Sequence, residues 1–150
     1  MNIKKDKYII LEIIPTNYKT KGGVIIQLSA LKIDGLNLIE RFDYRLKDTS
    51  LPILEMKEWI NYDNEYFTYV DSEQYILNMF QKFSNDLPIF ILNDDYTQDF
   101  ITPLTKNIHN ILDYLDMSYS NDIINKIIAK YNLEPSEHIV DLLYEALIMH

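Results

Sequence analysis

The sequence predicts an α/β protein: a mixed sheet with an antiparallel three-strand meander and helices on both faces. Three observations predict it. The run Tyr8-Ile9-Ile10-Leu11-Glu12-Ile13-Ile14 is β-branched, almost continuously apolar and ended by Pro15. That is the pattern of a central strand covered on both sides. Two more strand-like stretches follow it through short turn signals, Thr20-Lys21-Gly22-Gly23 and Asp34-Gly35. From about residue 71 onward, helix-period segments alternate with one short apolar strand.

Taken in order, residues 7–14 form the first strand. Residues 24–33 form the second, with Val24, Ile26 and Leu28 facing one way and Ile25, Gln27 and Ser29 the other. Residues 38–46 return as the third, with Ile39, Arg41, Asp43 and Arg45 on one side and Glu40, Phe42, Tyr44 and Leu46 on the other. After Ser50-Leu51-Pro52 the pattern is helical and irregular through Trp59-Ile60-Asn61, where Trp59 reads as a core or interface anchor. Asp71 or Ser72 then caps a helix whose apolar positions are Tyr75, Ile76, Met79, Phe80 and Phe83. Glu73 in its first turn suits the helix dipole. Residues 88–92 are a short buried strand, and residues 97–105 a helix interrupted near Pro103. Residues 110–115 fit strand or helix equally. Residues 122–131 are helical, with Ile123, Ile124, Ile127, Ile128 and Tyr131 as one stripe. A last helix runs from Ser136 or Glu137 to the end.

Composition bounds the function. The 150 residues fit one domain able to bury roughly 70% of its unfolded surface. Hydrophobic residues at 47% and charged ones at 25% exclude wholesale disorder. With no cysteine there are neither disulfides nor thiolate metal sites. The apolar runs are too short to span a bilayer, and the first residues lead straight into a strand without a signal-peptide core. The expectation is a cytoplasmic protein away from membranes. Fourteen basic residues stand against 23 acidic ones, a net charge of −9 that disfavours nucleic acid as a partner. Twelve tyrosines scattered over the whole chain read as filling rather than as a stacking platform.

Three segments carry chemistry. Glu12-Ile13-Ile14-Pro15-Thr16 ends the first strand, Ile91-Leu92-Asn93-Asp94-Asp95-Tyr96-Thr97 follows the short one, and Leu133-Glu134-Pro135-Ser136-Glu137-His138 opens the last helix. A parallel strand beside the first would put Asn93, Asp94 and Asp95 next to Glu12, at the carboxyl ends where α/β sheets bind ligands.

Over about residues 8–149 this line of motifs resembles the DEDD exonucleases with a catalytic histidine, the family of the proofreading subunit of bacterial replicative polymerase. Glu12 and Ile14 match the family's Asp-x-Glu, and Ile25-Ile26-Gln27-Leu28-Ser29-Ala30 its second strand. Ile91 to Thr97 stand against its apolar-apolar-His-Asn-x-x-Phe-Asp, and His138 with Leu143 at the Asp position against its His-x4-Asp. The resemblance implies a ribonuclease H-like three-layer fold, a pair of Mg²⁺ or Mn²⁺ ions and His138 as general base. Two such ions about 4 Å apart hold the scissile phosphate and generate hydroxide; they need several carboxylate oxygens. Of the four family carboxylates only Glu12 stands in place, with Ile14, Thr97 and Leu143 at the others.

The expectation is therefore a non-catalytic exonuclease-like domain that binds or regulates, with a protein partner and no cofactor. The alternative is an active 3′–5′ exonuclease on single-stranded DNA or RNA with displaced ligands. It would use Glu12, Asp94 or Asp95, and Asp141 or Glu145 on Mg²⁺ or Mn²⁺, with His138 as base. Each residue also has a plainer reading. Glu12 is a strand-end acid, Asp94 and Asp95 a turn or helix cap, His138 a helix-start residue, and Asp99, Asp141 and Glu145 solvated helix charges. An acidic decoy of nucleic acid ranks last, because the acids are spread evenly along the chain.

Overall fold

The structure, a computed structural model, describes residues 1–47, 67–92, 96–136 and 138–150. The predicted meander is present. Strand β1 (Lys7–Pro15) pairs antiparallel with β2 (Ile25–Asp34), and β2 with β3 (Asn37–Leu46). Gly35 makes the second turn at φ 64°, and a Cβ there would stand 2.8 Å from the Lys4 carbonyl oxygen. Only glycine fits that close approach.

Strand β4 (Thr68–Val70) adds to β3 in parallel. Helix α1 (Glu73–Ser84) follows, and β5 (Ile89–Ile91) returns parallel to β1 as the strand logic required. After helix α2 (Thr97–Ile101), β6 (Ile108–Asn110) pairs parallel with β5. Helices α3 (Ile111–Leu115), α4 (Ile123–Tyr131) and α5 (Ile139–Met149) complete the chain. Among the described residues this is a six-stranded mixed sheet in the order β4-β3-β2-β1-β5-β6.

The alternation of β1 divides the core. Tyr8, Ile10 and Ile14 join a cluster with α3, α4 and α5, while Ile9, Leu11 and Ile13 join a second with α1 and α2. Every residue of β1 except Lys7 is buried, which is what its continuous apolarity demands. Helix α5 contributes Ile139, Val140, Leu142, Leu143, Ala146 and Leu147 to the first cluster. Each large apolar side chain so buried stabilises by about 2 kcal/mol, so this face carries the docking of α5.

Several expectations are refined. Ile25 lies in the same cluster as Leu28 and Ala30, not on the side of Gln27 and Ser29. The register slips by one residue between Ile14 and Pro15, a bulge that rotates the start of β2. Ser72 is the cap of α1, its Oγ accepting from the Tyr75 amide at 3.2 Å. Tyr75 itself is 48% exposed, so the buried stripe is Ile76, Phe80 and Phe83. The 97–105 helix stops at Ile101, ahead of Pro103. The ambiguous 110–115 stretch resolves into the last residue of β6 and then α3. The last helix begins at Ile139, later than expected. No helix among the described residues is long and apolar enough to cross a membrane. The irregular helix expected before Asn61, with Trp59, lies outside the described residues.

Candidate functional site

On the α5 side of the sheet the apolar surface gives way to a polar wedge towards the carboxyl end of β1. Cross-strand pairing fixes it in three rows. Ile10, Leu31 and Arg41 form the first, Glu12, Ser29 and Asp43 the second, and Ile14, Gln27 and Arg45 the third. Residues two apart on one strand share a face, so six polar side chains lie together beneath the helix layer. Glu12, Gln27, Ser29 and Arg45 are each at most 8% exposed.

Arg41 organises the wedge. Its Nε donates to Asp43 Oδ2 at 3.2 Å, and its Nη1 and Nη2 donate to Asp141 Oδ1 and Oδ2 at 2.6 and 3.2 Å. This forked geometry is one that arginine holds and lysine cannot. It ties β3 to the first turn of α5. Around it the balance of donors and acceptors is uneven. Gln27 Oε1, Ser29 Oγ and Asp43 Oδ1 are buried with no hydrogen-bond partner among the described residues. Burial pushes the Asp43 carboxyl up from the ordinary aspartate value, and the neighbouring Asp141 adds to the effect. Arg41 and Ser29 pull the other way without cancelling it. A neutral Asp43 would replace one surplus acceptor with an O–H donor.

The residues singled out from the sequence distribute as follows. Glu12 is buried in the second row, on the same face as Ile14. Asp141 is half-buried and held by Arg41, so the plain reading of it as a solvated helix charge is corrected: the guanidinium takes both of its oxygens. Glu145 and Asp99 are exposed, in keeping with solvated helix charges. His138 is the residue before α5; its amide donates to Ser136 Oγ at 3.1 Å, and its ring stands 6.3 Å from that of Phe67. Thr97 and Leu143, which the sequence resemblance sets against acids, are buried at 2% and 1% exposure. Asp94 and Asp95 lie outside the described residues, as does Glu137. Among the described residues no three acidic or histidine side chains are grouped closely enough to share an ion.

Arg41, Asp43, Gln27 and Ser29 were not singled out as site residues. The signal was present, because alternation put Arg41, Asp43 and Arg45 on one side of β3 while the layer order required helices over both faces. A polar strand face under a helix layer is the anomaly that marks a site or a buried network. No protein-family model matches this chain, and no curated protein matches it either.

Proposed function

We propose that the chain is a non-catalytic domain of exonuclease-like, ribonuclease H-like design that serves as a binding or regulatory module. The observation carrying this reading is the occupation of the polar wedge by two guanidinium groups. Arg41 and Arg45 are the only arginines among the 14 basic residues, and both belong to the face on which catalytic carboxylates would stand. Arg41 already neutralises Asp141, the helix acid nearest the family's third-motif position. Cations fixed there oppose a second set of cations electrostatically. The strand order from β3 through β2, β1 and β5 to β6, with β5 parallel to β1, supports the ribonuclease H-like part of the reading. In this reading the protein needs no cofactor, its partner is another protein, and it works in the cytoplasm.

One observation favours a second reading, a divergent Mg²⁺- or Mn²⁺-dependent 3′–5′ exonuclease. Glu12 is buried at the mouth of the sheet, and a single acid within an otherwise apolar strand sequence is uncommon. In that case Glu12 with Asp94, Asp95 or Asp141 would hold metal and His138 would act as base. The deciding experiment is degradation of 3′-labelled single-stranded DNA and RNA by stoichiometric protein with Mg²⁺ or Mn²⁺. The module reading expects no shortening beyond that seen with Glu12→Ala. Shortening that stops with chelator and with Glu12→Ala would establish the enzyme instead.

A further inference from the structure

Helices α3, α4 and α5 finish at one corner of the protein, and the side chains that meet there have the geometry of metal ligands. Asp116 caps α3 in the left-handed region at φ 54°, with its amide donating to the Leu112 carbonyl. Tyr131 is the last residue of α4, and His150 caps α5, its amide donating to the Ala146 carbonyl at 2.9 Å. Each main chain is thus held by its own helix. Lys130 ties α4 to α3 by donating to the carbonyl of Leu115, the residue before Asp116.

The His150 imidazole is held on one side and offered on the other. Its Nδ1 is 2.7 Å from the Tyr131 hydroxyl, and the two rings meet edge-on at 6.0 Å and 73°. Tyr131 is only 8% exposed, so it holds the imidazole from a fixed position. With the ring proton on Nδ1, that nitrogen donates to the Tyr131 oxygen and leaves the Nε2 lone pair facing Asp116. Nε2 and Asp116 Oδ2 stand 3.4 Å apart. A charge-assisted hydrogen bond closes to about 2.7–2.9 Å. A nitrogen and an oxygen bound to one tetrahedral zinc ion at about 2.0–2.2 Å lie about 3.3–3.5 Å from each other. The pair has the second spacing. His109, by contrast, directs its Nε2 to the Asn107 side-chain oxygen at 2.8 Å.

We propose that His150 Nε2 and Asp116 Oδ2 bind a divalent ion of the zinc type, with water completing the tetrahedron. The two side chains are 31% and 81% exposed, so ion and water reach them from solvent. A histidine whose other ring nitrogen is fixed by a hydrogen bond is the usual form of a metal ligand. The carbonyl ends of α4 and α5 add negative potential. Lys130 opposes it, but its ammonium is engaged with the Leu115 carbonyl and lies 5.3 Å from the Tyr131 ring. Imidazole favours zinc over magnesium. With two protein ligands the ion is exchangeable, and it pins α5 to α3 rather than taking part in catalysis. The corner lies about 14 Å along α5 from Asp141 at 1.5 Å per residue, so it is separate from the polar wedge and goes beyond the module reading.

The test is isothermal titration calorimetry of the untagged full chain with zinc chloride at neutral pH, with the histidine ring signals followed by nuclear magnetic resonance. Wild type should bind zinc, and the His150 signals should move before those of His109 and His138. His150→Gln should abolish that binding. Tyr131→Phe should weaken it about tenfold, and Asp116→Asn, which removes a ligand, at least as much. Excess magnesium should not displace the ion. Both ligands are solvent-accessible, and circular dichroism checks that each variant is folded. No binding at millimolar zinc, equal affinity in wild type and His150→Gln, or first movement of another histidine each overturns the inference. Glu12→Ala should bind zinc as wild type does. Zinc binding that vanishes with Glu12 rather than with His150 would contradict the module reading as well, which keeps the two failures distinct.

Discussion

Replacing Arg41 by Met probes the polar wedge most sharply. The change keeps the aliphatic stem and removes the guanidinium, leaving Asp43 and Asp141 close together with no cation between them. The side chains of Arg41 and Asp141 are 30% and 28% exposed, and that of Asp43 is 8% exposed. Breaking a fully buried pair by removing one partner costs about 3–5 kcal/mol, whereas an exposed pair contributes about 0–1 kcal/mol. For a pair about one-third exposed the cost falls between these limits, about 2–3 kcal/mol. Asp141→Leu removes the other half of the fork and should cost about 1–2 kcal/mol, since Arg41 keeps Asp43. The double variant should then be more stable than the sum of the two losses implies, by about 1–2 kcal/mol of coupling. Urea unfolding at neutral pH, followed by far-ultraviolet circular dichroism, measures all three. Coupling below about 0.5 kcal/mol would refute the idea that Arg41 fastens α5 to the sheet.

Three further outcomes follow from the same structure. Burial, with Tyr144 contributing, pushes the Tyr8 phenol up to about 12 from its ordinary 10.0. The neutral phenol is therefore favoured in the fold, and stability is lost as pH rises from the ordinary value through the raised one. Tyr8→Phe should flatten alkaline unfolding there and give up only about 0.5–1 kcal/mol at neutral pH for the long bond to the Gly35 carbonyl. Asp43 likewise favours its neutral form, so its contribution is present at low pH and declines as pH rises past the ordinary aspartate value of 3.8. The stability of Asp43→Asn relative to wild type should therefore shift in the variant's favour as pH rises above the ordinary aspartate value, as read by thermal melts. The Tyr144 hydroxyl accepts from the Leu38 amide and donates to the Leu36 carbonyl at 2.7 Å. Tyr144→Phe should cost about 1–2 kcal/mol and speed hydrogen exchange at Leu38, while exchange in β1 is unchanged.

The sequence carries much of the sheet because its signals there are strong. Continuous apolarity in Tyr8 to Ile14 requires cover on both faces, and Asp34-Gly35 closes a turn that Gly35 alone can make. Strand β4 escaped notice because three residues, Thr68 to Val70, are too few to show a period and are defined by their neighbour on β3. The phase of Ile25 was misread because a bulge leaves no mark on alternation until the partner strand is known. The site was legible at Glu12, where one acid interrupts an apolar run. Its partners Ser29, Asp43 and Arg41 come from other strands, and only register brings them together. Asp141 shows the same limit, since it read like Glu145 as a solvated helix charge, whereas the fork from Arg41, one hundred residues away, turns it inward.

The proposed module requires that Glu12 and the wedge around it form no divalent-cation centre. Manganese binding followed by electron paramagnetic resonance, on wild type and Glu12→Ala at equal concentration, tests it most directly. The two proteins should leave the same fraction of Mn²⁺ free at every addition. Stoichiometric binding by wild type that disappears in Glu12→Ala would contradict the account.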